Sequence, residues 1–356
     1  MIETESLVKI SRYAGERFDL IQAGGGNSSV KLENNEMLIK ASGVLLSDVN
    51  ENKGYSKVDF KKIENILNNK IVINEKIKTN REKIAQDLVK EATLDLVNRP
   101  SIETLLHSAL YKYTLHTHPV VVNMIVVQKD WNKILLSIFK DQDISLVPYR
   151  TPGIELALEL YKVIKNFDTI PKITFLQNHG LIVSSDHLDD ILEITDNVLS
   201  KIEHFLQIDM SRYKLTNKIS NLIYSFQKTF EITYLVEDAY LNHQLTQNIT
   251  LFTEPPFCPD GFVFCGACAF HLKDISDSSE LKDYKDKYHE LPKIIIFKNH
   301  IFIRALNVKK AKEIEEVLKF QIMVLEKNLK NNKNFLTTDE LLYLSNWEAE
   351  KYRKKI

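Results

Sequence analysis

Two histidines separated by one residue lie in the segment YKYTLHTHPVVVNMIVV, residues 111–127. The segment is apolar and rich in β-branched residues, which favours a β-strand. Successive side chains of a strand point to opposite faces, so His116 and His118 would share one face. Imidazole is a common metal-ligating side chain, and two rings on one face can form part of a divalent-metal site.

His179 is the candidate third ligand. It lies in FLQNHGLIV at the predicted end of a strand, and Gly180 after it allows the chain to turn tightly. Catalytic zinc sites usually have three protein ligands and one open position. Three neutral imidazoles would suit Zn²⁺ or a similar first-row divalent ion. The alternative for each histidine taken alone is a hydrogen-bonded residue of the core.

Glu103 is the candidate acid/base beside this metal. It lies four residues before His107 on a predicted helix over 102–113, so the two side chains share a face, and the helix leads directly into the HTH strand. A carboxylate beside a Lewis acid can abstract a proton next to a polarised carbonyl. The alternative interpretation of Glu103 is a solvent-exposed helix residue. For His107 two interpretations remain, namely support of the metal site and packing in the core.

Glycine is scarce in this chain, with ten in 356 residues, yet three are consecutive in the segment GGGNSS. Consecutive glycines allow backbone N–H groups to converge on an anion, and the following polar side chains add short donors. The segment is neither GxGxxG nor a Walker loop, and a tight turn is the alternative. The predicted phosphate- or substrate-binding residues are Gly25, Gly26, Asn27, Ser28, Ser42, Gly43 and Ser101.

The overall composition excludes several classes of partner. There are 47 basic and 48 acidic residues, a net charge of −1, so neither nucleic acid nor a membrane surface is expected as a partner. The first eighteen residues resemble an amphipathic helix rather than a signal peptide, and no apolar stretch is long enough to span a bilayer. A cytoplasmic protein is expected. Its three cysteines are too few for a disulfide framework, and we interpret them as buried thiols.

The chain contains an internal repeat. PKITFLQNHGLIVSSD (171–186) resembles PKIIIFKNHIFIRALN (292–307), and a long amphipathic helix is predicted after each. The second copy has Ile301 in place of Gly180 and carries neither HxH nor GGGN. We therefore expect a metal-binding domain over 1–215. A degenerate repeat lobe over 216–356 would end in a C-terminal helix, anchored by Trp347 and Tyr352.

An ordered set of segments carries a family resemblance. GGGNSSVKL, LIKASG, PSIETLLH, HTHP, PYRTPGIELA and QNHGLI together resemble the class II, metal-dependent sugar-phosphate aldolases, the family that includes the adducin head. The repeated lobe and the tail LLYLSNWEAEKYR resemble, more specifically, the aldolase half of fused rhamnulose-phosphate aldolase/alcohol dehydrogenases. The resemblance implies an α/β fold of three layers, α/β/α, around a central and mainly antiparallel sheet.

The resemblance also implies an activity. His116, His118 and His179 would bind Zn²⁺, and Glu103 would be the catalytic acid/base and a further ligand of the resting site. The implied reaction cleaves a ketose phosphate of the rhamnulose- or fuculose-phosphate type to dihydroxyacetone phosphate and an aldehyde, with zinc stabilising an enediolate. Related epimerases usually carry aspartate where this chain has Glu103, so the glutamate favours cleavage.

Two departures from the family pattern leave alternatives open. Residues 119–145 contain no tyrosine, although family aldolases often carry a tyrosine proton donor after HxH, and Ile102 occupies a position where a second phosphate-binding serine is common. The alternatives are an epimerase or dehydratase of the same fold, or a non-catalytic, adducin-like interaction module. Sites near subunit boundaries in the family imply a homo-oligomer with a sugar phosphate as its small-molecule partner.

Overall fold

The computed structural model describes residues 2–95, 97–227, 231–327 and 332–346. The chain divides into two units, Met1–Met210 and Ser211–Ile356, and the predicted boundary at residue 215 falls inside the first helix of the second unit. Within the described ranges, no helix is both long enough and apolar enough to cross a membrane.

The first unit contains a seven-stranded sheet in its described part, with the strand order β3-β2-β1-β4-β7-β6-β5. Five of the six neighbouring pairs are antiparallel and the pair β5–β6 is parallel, so the predicted mainly antiparallel sheet is confirmed. The strands are β1 Asn27–Lys31, β2 Glu36–Lys40, β3 Tyr55–Asp59, β4 Tyr113–Thr117, β5 Ile144–Val147, β6 Ile173–Leu176 and β7 Gly180–Ser185.

Helices cover both faces of this sheet, which confirms the predicted three layers. The helices of the unit are α1 Ile2–Gly15, α2 Phe60–Ile66, α3 Lys70–Asn74, α4 Lys78–Glu91, α5 Thr104–Ser108, α6 Val120–Val126, α7 Trp131–Ile138, α8 Ile154–Ile164 and α9 Leu188–Leu206. One layer contains α1, α6, α7 and α9, and the other contains α2, α4, α5 and α8, which pack in one hydrophobic cluster.

The β-branched run after HTH is a helix, so the prediction of a strand across residues 111–127 is wrong beyond Thr117. Pro119 precedes the first turn of α6 with an extended backbone, and the helix buries Val121, Val122 and Ile125 on one side. Helical spacing of the apolar residues and packing against α9 therefore outweigh the strand preference of valine. The helix predicted over 102–113 is limited to Thr104–Ser108, so Glu103 is the residue before the helix, and β4 begins at Tyr113.

The second unit has a smaller sheet, with the order β8-β11-β10-β9 among its described residues. Its first two pairs are antiparallel and its last pair is parallel, as in the β4-β7-β6-β5 part of the first sheet. The elements are α10 Ser211–Phe226, β8 Ile232–Leu235, α11 Ala239–Gln247, α12 Thr250–Thr253, α13 Pro259–Cys265, β9 Phe270–His271, α14 Ser279–Tyr288, β10 Ile294–Phe297, β11 His300–Ala305, α15 Val308–Glu326 and α16 Thr338–Asn346.

The repeated segments form matching hairpins followed by helices. Each has a four-residue strand, a six-residue strand and a 19-residue helix. The connections differ: residues 177–179 link β6 to β7, whereas only Lys298 and Asn299, both with positive φ, link β10 to β11. His300 consequently begins a strand and pairs with Phe297. The C-terminal helix is present, while Trp347 and Tyr352 lie outside the described residues.

Candidate metal centre

His116, His118 and His179 converge where the interior strand β4 ends and its neighbour β7 begins. Each offers a ring nitrogen, and these atoms all lie within 4.8 Å of one another. The ring centroids are 4.7 to 5.0 Å apart, with the rings tilted or edge-on rather than stacked. This spacing and orientation allow three imidazoles to direct one nitrogen each toward a common point.

Glu103 lies beside two of the three rings and is almost fully buried. Its Oε2 atom is 2.8 Å from Nδ1 of His116, and its Oε1 atom is 3.4 Å from Nε2 of His179. With its proton on Nδ1, His116 donates to the carboxylate and keeps the lone pair of Nε2 for a metal. Glu103 therefore orients a candidate ligand and also lies where it could exchange a proton with a bound substrate.

The surroundings set the charge states of this cluster. Burial opposes ionisation of Glu103, but the adjacent imidazoles of His116 and His179 prevail and hold the pKa of its carboxyl well below its usual range. Burial, helped by the two neighbouring imidazoles, lowers the pKa of His118 to about 3. His118 is therefore neutral at pH 7, and the neutral ring is the form that ligates a metal.

The backbone around the histidines fixes where they lie. His116 pairs with Ile182 in the ladder between β4 and β7, and Thr117 pairs with Leu181. A side chain at Gly180 would overlap the carbonyl oxygen of Thr117, so only glycine permits this close approach after His179. The register of two strands thus brings together histidines that are distant in the sequence.

The short helix α6 connects the two ligand-bearing loops. Its first turn follows His118 closely, and the carbonyl oxygen of Val126 near its end accepts the N–H of Asn178, 3.2 Å away. Asn178 has a positive φ of 55° immediately before His179. The α6 helix is therefore a rigid spacer between the HTH and QNHG segments, a role that the strand prediction missed.

Asn27 and Ser101 extend the cluster toward the glycine loop. The side-chain N–H of Asn27 donates to Ser101 Oγ, and its nitrogen lies 3.4 Å from Glu103 Oε2. The backbone N–H of Glu103 also donates to Ser101 Oγ. Because the Ser101 hydroxyl accepts from two donors, its own proton is left to donate to another group. Gly26, with a φ of +67°, turns the chain into β1 just before Asn27.

Ser42 and Gly43 form a turn next to this region. The N–H of Val44 bonds to the carbonyl of Ala41, and Gly43 has a φ of +80°, as the third residue of a type II turn requires. A bridge between Ala41 and Pro100 places this turn next to Ser101. Ser42 itself is exposed, and its N–H donates to the carbonyl of Arg99.

Lys40 is a charged residue of this region that the sequence argument did not select. Its side chain is almost fully buried, and its amino group donates to the carbonyl of Val44 at 2.7 Å. The amino group also interacts electrostatically with the carboxylate of Glu103. Burial lowers the pKa of its amino group, an effect that Glu103 opposes. Lys40 belongs to the motif LIKASG. A basic residue two positions before the Ser42–Gly43 turn is the sequence feature that could have indicated its role.

Ser28 does not join the cluster, contrary to the prediction. Its hydroxyl bonds to Ser11 Oγ of α1, 2.7 Å away, because strand alternation directs Ser28 to the opposite face from Asn27 and Ser29. Ser29 Oγ is hydrogen-bonded to His107 Nδ1 at 2.7 Å. His107 is completely buried, and burial lowers its pKa to about 3. It anchors α5, which follows Glu103, to strand β1.

The residues present fit a divalent metal. Within the described ranges, Nε2 of His116 and Nε2 of His118 are buried without a hydrogen-bond partner. Buried ring nitrogens normally find partners, and a metal at the common point of the three rings would supply one. A three-histidine donor set next to a carboxylate is typical of Zn²⁺ and similar ions.

The fold is a mainly antiparallel three-layer α/β fold, and its site contains three convergent histidines. Comparison with known protein families identifies the class to which such a protein belongs. The sequence model described as Class II Aldolase and Adducin N-terminal domain matches residues 5–199, more than half of the chain. The chain therefore belongs to the class II aldolase and adducin family. No curated protein matches it.

Several solved structures are similar to part of this chain. The N-terminal class II aldolase domain of a conserved protein from Thermoplasma acidophilum is 24% identical, over 57% of this chain and 93% of that chain, with a TM-score of 0.49. YgbL from Klebsiella pneumoniae is 15% identical, over 58% of this chain and 89% of that chain, with a TM-score of 0.41. L-fuculose-1-phosphate aldolase from Thermus thermophilus is 16% identical, over 57% of this chain and 94% of that chain, with a TM-score of 0.38. The family assignment rests on the sequence match alone.

Proposed function

We propose that the first unit is a metal-dependent aldolase that cleaves a ketose phosphate to dihydroxyacetone phosphate and an aldehyde. The observation that carries the proposal is the convergence of His116, His118 and His179 beside the buried carboxylate of Glu103. Family membership supports an enzyme of this class. An interaction module would have no need of this buried polar cluster, whose desolvation carries a cost in stability.

The three histidines would hold a divalent cation such as Zn²⁺, which supplies Lewis-acid stabilisation of negative charge on a substrate oxygen. The chain itself supplies proton transfer. In the cleavage direction, the hydroxyl on the fourth carbon of the ketose loses its proton, the bond between the third and fourth carbons breaks, and the fourth carbon becomes the aldehyde. The electron pair of the broken bond stays with the third carbon, which gains one proton, so no net proton is consumed. Glu103 is the group we assign to proton transfer at that third carbon, because its carboxylate adjoins two of the three candidate ligands.

The substrate phosphate is assigned to the region beyond Asn27. Ser101 has a hydroxyl proton left to donate, and the turn at Ser42–Gly43 lies next to it across the bridge between Ala41 and Pro100. The buried amino group of Lys40 adds positive charge two residues before this turn. Gly25 and Gly26 let the loop pack closely against His118 and Ile21, and the Gly25 N–H donates to the carbonyl of Gln22. We therefore assign the phosphate to Ser101 and the Ser42–Gly43 turn rather than to the glycine loop.

A product assay tests the proposal. The purified chain, reconstituted with Zn²⁺, is incubated with rhamnulose 1-phosphate and fuculose 1-phosphate, and the release of dihydroxyacetone phosphate is followed. The proposal expects two carbon fragments from at least one ketose phosphate, and no release by His118→Ala. An isomeric sugar phosphate without fragments would instead identify an epimerase, and loss of water would identify a dehydratase.

Metal content provides the second arm of this test. Elemental analysis should find an equimolar divalent metal in the reconstituted wild-type chain and none in His118→Ala. His300→Ala is the matched control, because His300 occupies a strand in the second unit, and it should retain the metal. A wild-type chain that takes up no metal after reconstitution would contradict the aldolase proposal.

A further inference from the structure

Arg17 is the largest of the fully buried side chains among the described residues, with 1% of its surface exposed. Its Nε and Nη2 atoms both donate to the carboxylate of Asp19, at 3.1 and 2.6 Å, and Nη1 donates to Asp196 Oδ1 at 2.9 Å. The guanidinium also lies over the ring of Tyr13, 5.0 Å from its centroid, and the Tyr13 hydroxyl bonds to the same Asp196 oxygen. Three elements are therefore joined at one cation: α1, the segment after it, and α9.

The backbone of the segment fixed by Arg17 binds the chain next to the histidines. The carbonyl oxygen of Leu20 accepts the N–H of His118 at 2.9 Å, and the carbonyl oxygen of Asp19 accepts the N–H of Val120 at 2.9 Å. These bonds hold the candidate ligand His118 and the first residue of α6. Asp19 is thus bound to Arg17 through its side chain and to the start of α6 through its backbone.

The same segment leads into the glycine loop. The carbonyl oxygen of Arg17 accepts the N–H groups of Leu20 and Ile21, at 3.1 and 3.0 Å, which closes a turn. A few residues later, Gly25 packs against the imidazole of His118, so closely that a Cβ there would lie 2.9 Å from Nδ1. His118 is therefore held at its backbone by Leu20 and against its ring by Gly25.

We propose that Arg17 is a positioning residue for the metal centre, acting on His118 through Asp19 and Leu20. The inference rests on the proposed function in one respect, namely that His118 ligates a metal. Arg17 lies in the segment GERFDL, outside the histidine, glutamate and glycine motifs, and its action requires no contact with metal or substrate.

The geometry requires an arginine rather than any cation. The planar guanidinium offers Nε and Nη2 side by side to one carboxylate while Nη1 reaches a second carboxylate. A lysine at this position keeps the charge but cannot make the paired contact with Asp19. The carbonyls of Asp19 and Leu20 then lose their fixed positions, and the backbone nitrogen of His118 loses its fixed acceptor.

The test measures metal affinity rather than turnover. Zn²⁺ dissociation constants are determined by competition with a chelator of known affinity for the wild-type chain and for Arg17→Lys. Groups that orient metal ligands typically contribute about 10- to 100-fold in affinity, and we expect a loss in this range. The absorption spectrum of the Co²⁺-loaded chain should also change, because it reports the ligand geometry.

Arg304→Lys is the matched control. Arg304 is also buried, donates from Nε and Nη2 to the carbonyls of Pro292 and Leu291, and pairs with Glu231, all in the second unit. Its substitution should lower the temperature of unfolding while the Zn²⁺ affinity and the Co²⁺ spectrum stay as in the wild type. A drop in affinity for Arg304→Lys equal to that for Arg17→Lys would overturn the inference.

Asp196→Asn provides a second variant if Arg17→Lys does not fold. Asp196 is half exposed, so its neutralisation is tolerated more easily, and we expect a smaller loss of affinity in the same direction. Wild-type affinity in Arg17→Lys, or in Asp196→Asn where Arg17→Lys does not fold, would overturn the inference and leave the aldolase proposal intact. Absence of Zn²⁺ binding by the wild-type chain would overturn the proposed function itself.

Discussion

The Oε2 atom of Glu103 lies 2.8 Å from Nδ1 of His116, and both side chains are buried near the end of the middle strand of a seven-stranded sheet. This contact joins the helix that begins after Glu103 to strand β4, which carries the histidine. It gives Glu103 two separable roles, in orienting a ligand and in moving a proton.

Glu103→Gln should separate these roles. Glutamine has nearly the same shape and can still accept a hydrogen bond from His116, but it cannot take up a proton from the substrate. We expect kcat to fall by about 10²- to 10⁴-fold while the metal content stays equimolar. Steady-state kinetics and elemental analysis of the same preparation check both parts, and a fully active Glu103→Gln would exclude Glu103 as the acid/base.

Gly180→Ala should destabilise the first unit. The added methyl group would meet the carbonyl oxygen of Thr117 within the β4–β7 ladder, where backbone cannot easily move away. We expect a loss of about 1–3 kcal/mol in the free energy of unfolding. Gly24→Ala is the control, since a Cβ there has no atom within 4 Å, and its stability should lie within about 0.5 kcal/mol of the wild type. Urea unfolding curves of both variants measure the difference.

Ser29→Ala should show what His107 contributes. Removal of the hydroxyl leaves Nδ1 of a fully buried imidazole without the bond that the structure shows, at a cost of about 1–3 kcal/mol in the free energy of unfolding. Ser56→Ala is the control, because Ser56 Oγ is buried and has no partner among the described residues, and its loss should cost less than about 1 kcal/mol. Equal costs would contradict a specific role for the bond between Ser29 and His107.

Cys265 should resist thiol reagents in the folded chain. Burial raises the pKa of its thiol to about 12, so the reactive thiolate is a very minor species well below that pH. In Cys258→Ser/Cys268→Ser, reaction with a disulfide reagent at mildly alkaline pH should be slow in buffer and fast in urea. Rapid stoichiometric labelling in buffer would contradict the burial of this thiol. The half-buried Cys258 and Cys268 give no such expectation.

The parts of the candidate site that depend on local periodicity could be predicted from the sequence. The two-residue repeat of a strand places His116 and His118 together. The tight turn predicted at QNHG is present, but Gly180 begins β7 and is required by its close approach to Thr117, while the positive φ lies at Asn178. The same periodicity, applied to the β1 strand, would have directed Ser28 away from Asn27. Strand β1 already begins at Asn27, within GGGNSS, so the polar residues of this segment do not all face one ligand.

Other features depend on contacts between distant segments and have no local signal. The helix at Val120–Val126 forms because its apolar side packs on α9, against the strand preference of its valines. The bond between Ser29 and His107 and the cluster around Arg17 likewise join residues that only the fold brings together. The sequence does not distinguish a buried arginine from an exposed one, so the role of Arg17 can be inferred only from the structure.

The two hairpins of the repeat differ by a single residue in their connections, and this difference decides where a histidine lies. His179 is the last residue of a three-residue loop, whereas His300 is the first residue of a strand. Leu235 pairs with Phe302, the third residue of β11, as His116 pairs with Ile182, the third residue of β7, so the second unit has no histidine at this ladder position.

In design terms, the two 16-residue segments match in sequence without a gap, so it is the register of the hairpin that moves a histidine from a loop into a strand. Point substitutions that add histidines to β8 would therefore leave His300 in its strand unless they also shift this register.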